Sequence, residues 1–94
     1  MDIRDKLARE FEEERIALKV VEECMELCEV LVKRVTKVED SKPPLYKVIE
    51  EMGDLTFRLQ CLARKLRIDE AVEARVIEKA KQIDDWLETK LKHQ

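Results

Sequence analysis

The 94-residue chain has little of what β-sheets, long loops and zinc or redox sites are made from. It contains one glycine, two prolines, one histidine, one tryptophan, one tyrosine and two phenylalanines, whereas 45% of its residues are hydrophobic and 44% are charged. The scarcity of turn residues argues against a sheet protein, and the hydrophobic share argues against a disordered one. The sequence therefore predicts an all-α protein.

The length limits the chain to one domain, and we assign residues 1–94 to a single helical domain. A chain this short buries only about 60–65% of the surface of its unfolded state, so a lone monomer would be marginally stable. We therefore expect a helical bundle of four helices (or three long ones) that is completed by oligomerisation.

Neither charge sign forms a block, because acids and bases are interleaved along the chain, and the net charge is only -3. Nucleic-acid binding proteins carry clustered basic residues and often stacking aromatics, so we expect no nucleic-acid partner. The chain also lacks an apolar run of membrane length and an apolar signal region near its first residue. We therefore expect a cytoplasmic protein with no membrane partner.

The three cysteines, Cys24, Cys28 and Cys61, lie on or beside helical apolar stripes. An odd number without the spacing of small disulfide-rich domains argues against a disulfide framework. The single histidine, His93, stands next to the end of the sequence, so a zinc site would need carboxylates or a second chain. We interpret the cysteines as reduced core thiols.

The first half of the chain is amphipathic, but its apolar stripe changes direction near residues 12–15. Residues 2–14 place Ile3, Leu7 and Phe11 on one side, and Asp2 is a candidate N-cap. The stripe that follows contains Ile16, Val20, Cys24, Leu27, Leu31 and Val35. Because no glycine or proline marks a break, the sequence leaves open whether residues 2–38 form one helix or two.

Residues 39–44 are predicted to form a tight connection between the second and third helices. Asp40 or Ser41 is the predicted N-cap of the third helix, and Pro43 or Pro44 is predicted to lie in its first turn, where a missing N–H costs nothing. This connection makes an antiparallel hairpin of the two central helices.

Arg67 is the predicted end of the third helix, and Asp69 is the predicted N-cap of the fourth. The fourth helix has the most regular apolar seam of the chain, formed by Val72, Val76, Ala80, Ile83, Leu87 and Leu91. Such a seam predicts packing against other helices.

Two acidic pairs flank the hairpin connection: Glu23 with Glu26, and Glu51 with Asp54. Each pair has i,i+3 spacing, which puts both carboxylates on one helix surface. At about 1.5 Å of rise per residue, the two pairs stand level to within about one helical turn. Gly53, the single glycine, is predicted to lie in the middle of a helix, where glycine is about 1 kcal/mol less favourable than alanine. A glycine at such a position predicts close approach of a backbone, a ligand or a metal.

Four converging carboxylates repel one another unless a cation or a base neutralises them. A set of oxygen ligands without imidazole or thiolate suits Mg²⁺, with Mn²⁺ as an alternative. We therefore predict a magnesium site between the two central helices.

These acidic stretches carry a resemblance to a known family. Residues 19–27, KVVEECMEL, and residues 50–55, EEMGDL, resemble the K-x-x-E-E-x-x-E and E-E-x-G-D-L signature of the MazG-like group of all-α nucleoside triphosphate pyrophosphohydrolases. The resemblance implies an α-helical bundle that assembles as a homodimer or homotetramer. It also implies Mg²⁺-dependent hydrolysis of a (deoxy)nucleoside triphosphate to the monophosphate and pyrophosphate.

The resemblance further implies roles for individual residues. The implied metal ligands are Glu23, Glu26, Glu51 and Asp54. The implied catalytic carboxylates are Glu22, Glu23 and Glu50, with Glu22 and Glu50 either supporting the ligands or activating water. The implied substrate-binding cations are Lys19, Lys79 and Arg75.

Two alternatives stay open on the sequence alone. One is an enzyme resembling phosphoribosyl-ATP pyrophosphohydrolase, and the other is a non-catalytic helical interaction module whose acidic face is simply solvated. The sequence does not give the preferred base or sugar, the biological role, the choice between dimer and tetramer, or the identity of the general base.

Overall fold

A computed structural model of the chain describes residues 1–93, and within that range all regular structure is helical. The helices are α1 (Ile3–Glu10), α2 (Glu13–Thr36), α3 (Leu45–Leu66) and α4 (Asp69–Lys92), with a short 3₁₀ turn at Glu39–Ser41 between α2 and α3. The predicted all-α class with four helices is confirmed. None of the helices in the described range is both long and apolar enough to cross a membrane.

Residues 2–38 form two helices, with the break at Phe11 and Glu12, which are extended. The predicted cap of α1 is confirmed, because the Asp2 carboxylate accepts the Arg4 backbone N–H at 2.8 Å. The break lets the apolar sides of α1 and α2 both face α3, which one continuous helix would not allow because its stripe changes direction here. Lys65 further ties α1 to α3 by donating to the Ala8 carbonyl at 2.8 Å.

The antiparallel pair of α2 and α3 is the centre of the fold. Ile16, Val30 and Cys61 are its buried apolar residues in the described chain. At the closed end of the hairpin, the Arg34 guanidinium donates to the Pro43 carbonyl at 2.9 Å and fixes the connection against α2. The few buried residues show how little core this single chain has.

The prediction of Asp40 or Ser41 as N-cap of α3 is wrong. Both residues lie in the 3₁₀ turn, and α3 begins after Pro44, which occupies the N-cap position without any side-chain cap. The two prolines explain the shift, because the residue before a proline is held extended and Pro43 therefore cannot be helical. Pro44 precedes the first turn rather than lying within it.

Arg67 ends α3 as predicted, in the left-handed conformation with φ of 57°. The prediction of Asp69 as N-cap of α4 is wrong, because Ile68 holds that position. The Asp69 carboxylate instead accepts from Arg64 Nε at 2.9 Å. Arg64 also binds Asp5 at 2.8 Å, so this one guanidinium joins α1, α3 and α4.

Helix α4 packs only slightly against α3, and all of its residues are exposed. The apolar seam predicted for bundle packing faces solvent, with Val76 63%, Trp86 57% and Leu91 58% exposed. The chain measures 52 × 38 × 21 Å, which reflects this open arrangement. Within one chain, the packed unit therefore consists of α1, α2 and α3.

The cysteines differ in their surroundings, and none forms a disulfide in the described chain. Cys61 is buried as predicted, and burial raises the pKa of its thiol. Cys24 is half-buried and Cys28 is exposed. The prediction of three core thiols is therefore wrong for Cys28, whose helix face is uncovered in the single chain.

Candidate metal and substrate site

The antiparallel register of α2 and α3 brings three of the four predicted metal ligands together. One carboxylate oxygen from each of Glu23, Glu51 and Asp54 lies within 4.8 Å of the other two. Glu23 comes from the middle of α2, while Glu51 and Asp54 lie one turn apart on α3. We name these three residues the acidic cluster.

Burial makes the acidic cluster different from an ordinary charged surface. Glu51 is only 4% exposed, although glutamate is seldom buried without a partner. One oxygen of Glu51 and one of Glu23, Oε2 in both, are buried without a hydrogen-bond partner in the described chain. A buried acceptor that lacks a donor is costly, and a cation would relieve that cost.

Glu26, the fourth predicted ligand, lies at the edge of the acidic cluster and is exposed. The negative charge of Glu23 raises the pKa of Glu26 above its ordinary value, with smaller effects from burial and from the charge of Glu51. Glu26 is therefore affected by the negative charge of the cluster, and its role as a metal ligand stays a prediction.

Lys47 is the one cation that contacts the acidic cluster in the described chain, and the sequence analysis missed it. Its Nζ lies 3.1 Å from Glu51 and 3.4 Å from Glu50, and these carboxylates raise the pKa of Lys47. Its spacing of i,i+4 to Glu51 was the available signal. Lys47 and Lys33 also line an open groove beside the cluster, together with Glu26, Glu29, Val30, Glu50, Glu51 and Asp54.

The donors in this groove fit a hard divalent cation. The ligand atoms that the acidic cluster offers are all carboxylate oxygens, and Glu23 and Glu51 each have one oxygen that is buried without a hydrogen-bond partner in the described chain. Mg²⁺ and Mn²⁺ prefer such oxygen ligands, and Mg²⁺ shares its remaining positions with water or phosphate oxygens. An open groove leaves room for those additional ligands.

Comparison with protein families gives a match to the MazG nucleotide pyrophosphohydrolase domain over residues 11–87. The chain belongs to this MazG family. The match covers α2, α3 and most of α4, including every residue of the acidic cluster. No curated protein and no solved structure matches the chain at a significant level.

Three other predicted site residues of this MazG domain lie outside the acidic cluster. Glu22 is exposed and pairs with Lys19 at 3.1 Å, while Glu50 is exposed and pairs with Lys47. Glu22 and Glu50 thus stand next to the cluster residues Glu23 and Glu51 in the sequence, and Glu50 also lines the groove. Their roles, and that of Lys19, stay predictions.

The structure does not bring Lys79 and Arg75 to the groove within one chain. Both lie on the exposed helix α4, and the described residues that line the groove come from α2 and α3. Arg75 pairs instead with Glu78 of its own helix at 3.0 Å. A substrate role for these two cations would require an arrangement of α4 that a single chain does not have.

Gly53 has no close neighbour in the described chain, while the predicted approach of a ligand or metal stays a prediction. A Cβ atom added there would have no described atom within 4 Å. The prediction of a close backbone approach is therefore wrong within this chain, since Gly53 faces open space next to Asp54.

Proposed function

We propose that this MazG domain is a Mg²⁺-dependent nucleoside triphosphate pyrophosphohydrolase, with Mn²⁺ as a possible substitute. The observation that carries the proposal is the acidic cluster itself, whose three carboxylate oxygens lie within 4.8 Å of one another beside an open groove. Three carboxylates this close repel one another unless a cation is bound. The family match supports a nucleotide as the substrate.

The balanced reaction is a nucleoside triphosphate plus water giving the nucleoside monophosphate plus pyrophosphate. Bound Mg²⁺ would neutralise the phosphate oxygens and lower the pKa of a coordinated water. Glu23, Glu26, Glu51 and Asp54 would hold the cation, and their rigid helices would keep the carboxylates in place throughout turnover. Catalysis would rest mainly on positioning and charge neutralisation, as in other phosphoryl transfers.

Lys47 would have two functions in this site. Its contact of 3.1 Å with the buried Glu51 restrains that carboxylate in the orientation that faces the cluster. Its ammonium, together with that of Lys33, also offsets part of the negative charge of the five carboxylates that line the groove, which would lower the repulsion that an incoming triphosphate meets.

We also propose that the protein is a homo-oligomer, either a dimer or a tetramer. The exposed face of α2 carries a seam with alternating spacings of three and four residues, which is the heptad pattern of helix–helix interfaces. We name it the α2 outer seam: Leu18, Val21, Met25, Cys28, Val32 and Val35. Met25 is 66% and Val35 83% exposed, so a single chain leaves this seam uncovered.

The proposed activity is tested by measuring pyrophosphate release from the common ribo- and deoxyribonucleoside triphosphates and from phosphoribosyl-ATP, with and without Mg²⁺ or Mn²⁺. We expect metal-dependent release with at least one nucleoside triphosphate. Asp54→Asn should abolish it, while Asp84→Asn on α4 removes the same charge and should leave it unchanged.

Two results would lead to other conclusions. Turnover of phosphoribosyl-ATP alone would assign the protein to that narrower reaction. A folded, oligomeric sample without turnover of any substrate would contradict an enzymatic function and favour the helical interaction module.

A further inference from the structure

An open groove lies between α3 and the first part of α4. Its apolar walls are formed by Leu59 and Ala63 of α3 and by Val72 and Val76 of α4. Leu59 is 46% and Val72 45% exposed, although both stand where two helices meet. The groove therefore presents apolar surface from two helices that the described chain leaves uncovered.

The apolar seam of α4 begins in this groove and continues to the end of the helix. We name it the α4 seam: Val72, Val76, Ala80, Ile83, Leu87 and Leu91. At about 100° per residue, these residues fall within about 100° of the helix circumference and form one continuous face. Beyond Val76 this face no longer lines the groove, and Ile83 and Leu91 are 48% and 58% exposed. Amphipathic helices gain most of their stability from packing of the apolar face, so the α4 seam requires a partner outside the single chain.

The spacing of the α4 seam is the same in both directions, namely 4, 4, 3, 4 and 4 residues. Such a seam matches itself when a second copy runs antiparallel, with the centre of the match between Ala80 and Ile83. The facing pairs are then Val72–Leu91, Val76–Leu87 and Ala80–Ile83, each formed twice. In every pair a smaller residue faces a larger one, which favours close packing, whereas a parallel match would place Ala80 opposite Ala80 and leave a gap.

Two charged residues beside the α4 seam select the antiparallel direction. Glu73 stands at one end and Lys90 at the other, and neither has an ion-pair partner within residues 1–93. The Lys90 ammonium instead lies 5.5 Å from the centre of the Trp86 ring. The antiparallel match places Glu73 opposite Lys90 of the second copy at both ends, while a parallel match would bring like charges together.

The other charged groups of the groove do not oppose this arrangement. The lining includes Arg4, Arg64 and Asp69 in addition to Glu73. Arg64 is held by Asp5 and Asp69, and Arg4 is held by Asp2. A lysine that enters the groove therefore meets the carboxylate of Glu73 and no unpaired cation among the described residues that line it.

We propose that the groove between α3 and α4 binds the C-terminal half of α4 from a second copy of this chain, which runs antiparallel. The arrangement is reciprocal, because each copy offers both the groove and the inserted helix, as in a two-fold interface. This interface is separate from the α2 outer seam, and it does not depend on the proposed activity of the acidic cluster.

The test reverses the two charges singly and together and measures self-association by sedimentation equilibrium. Glu73→Lys and Lys90→Glu each bring like charges together at both ends of the α4 seam, whereas the double variant restores opposite charges. We expect each single reversal to raise the dissociation constant about tenfold, and the double variant to return it to within about threefold of the wild type. Glu70→Lys and Lys92→Glu reverse the same charges away from the seam and should leave the constant unchanged.

A second pair of variants tests the centre of the α4 seam. Ala80→Glu places a carboxylate from each copy into the apolar interface, so we expect the dissociation constant to rise at least a hundredfold. Ala74→Glu, on the opposite side of α4, is the matched control and should change the constant less than about twofold. Both alanines are exposed in the single chain, so both variants should keep the wild-type helix content in circular dichroism.

Trp86 provides an independent measurement on the wild-type protein, because it is the one tryptophan of the chain. It is 57% exposed and lies beside the α4 seam, so pairing of α4 should reduce its contact with water. We expect its fluorescence emission to shift to longer wavelength on dilution, with the same midpoint as the dissociation seen in sedimentation.

The outcomes separate this interface from the other proposals. A double reversal that associates as weakly as the single ones would place α4 on another surface, such as the α2 outer seam, and would overturn the inference. Unchanged association of Ala80→Glu, or constant Trp86 emission while the assembly dissociates, would also overturn it. Wild-type protein that stays monomeric would contradict both this interface and the proposed homo-oligomer, whereas pyrophosphate release tests the activity independently.

Discussion

The most direct test of the acidic cluster is the stability of a Glu23→Gln variant in the absence of metal. Glu23 has no basic partner within the described residues, and its Oε2 is buried and unpartnered. Glutamine has nearly the same shape, so the substitution removes charge with little change in packing. We expect the variant to be more stable than the wild type when no divalent cation is present.

The size of the effect follows from the geometry of the cluster. Two unit charges 4.8 Å apart repel by about 1 kcal/mol at the dielectric constant of water, and by about 3–4 kcal/mol at an effective value near 20. Asp54 is exposed and Lys47 offsets part of the charge of Glu51, so the lower part of this range applies. A gain of about 1–2 kcal/mol should raise the melting temperature by about 4–16 °C for a domain of this size.

Added Mg²⁺ should reverse the order of the two proteins. At a concentration one hundred times its Kd, a cation that binds only the folded state stabilises it by about 2.7 kcal/mol, which corresponds to about 10–20 °C. The wild type should show this shift, and Glu23→Gln should lose most of it.

The assay is thermal unfolding followed by circular dichroism at one fixed protein concentration, in chelator and then in a series of Mg²⁺ concentrations. Glu14→Gln, in the first turn of the same helix, is the control and should change stability by no more than about 0.5 kcal/mol. The electrostatic reasoning would be refuted if Glu23→Gln melted below the wild type in chelator, or if it kept the full response to Mg²⁺.

Three further predictions concern other contacts. Lys47→Met should lower the midpoint of urea unfolding of the metal-free protein, because Glu51 loses its only cationic partner in the described chain, and Mg²⁺ should restore most of that loss. An unchanged midpoint would contradict this prediction. Arg64→Met should lower the stability of the protein and speed amide hydrogen exchange in α1, because two ion pairs are lost. Exchange at the wild-type rate would show that α1 is held by other contacts. Met25→Glu in the α2 outer seam should shift the protein toward monomer in sedimentation velocity, whereas Met25→Leu should not; equal behaviour of the two would place the interface elsewhere.

The location of the acidic residues was predictable because it depends on local spacing. The i,i+3 separation fixes both members of a pair on one helix surface, and the proline-containing connection requires the two helices to run antiparallel. These two facts are enough to bring Glu23 near Glu51 and Asp54. The resemblance of the two acidic stretches to the MazG signature rests on the same residues, and it is confirmed by the family match.

The caps were harder to predict, because several residues compete for each capping position. Asp40, Ser41 and Asp69 are all good N-cap residues by type, but the structure uses none of them. Near α3 the two prolines delay the start of the helix, and near α4 the Asp69 carboxylate is held by Arg64. Such outcomes depend on competing ion pairs or on steric effects of neighbours, which side-chain preference alone does not include.

The sequence by itself determined that the chain is helical, that its helices are amphipathic, and that each acidic pair lies on one surface of its own helix. These features follow from residue spacing along a helix of fixed pitch. Only the tertiary structure decided which carboxylate is buried, which lysine neutralises it, and that α4 stands apart with its seam exposed. Burial and ion pairing depend on the distance between helices, and that distance results from packing between residues far apart in the sequence.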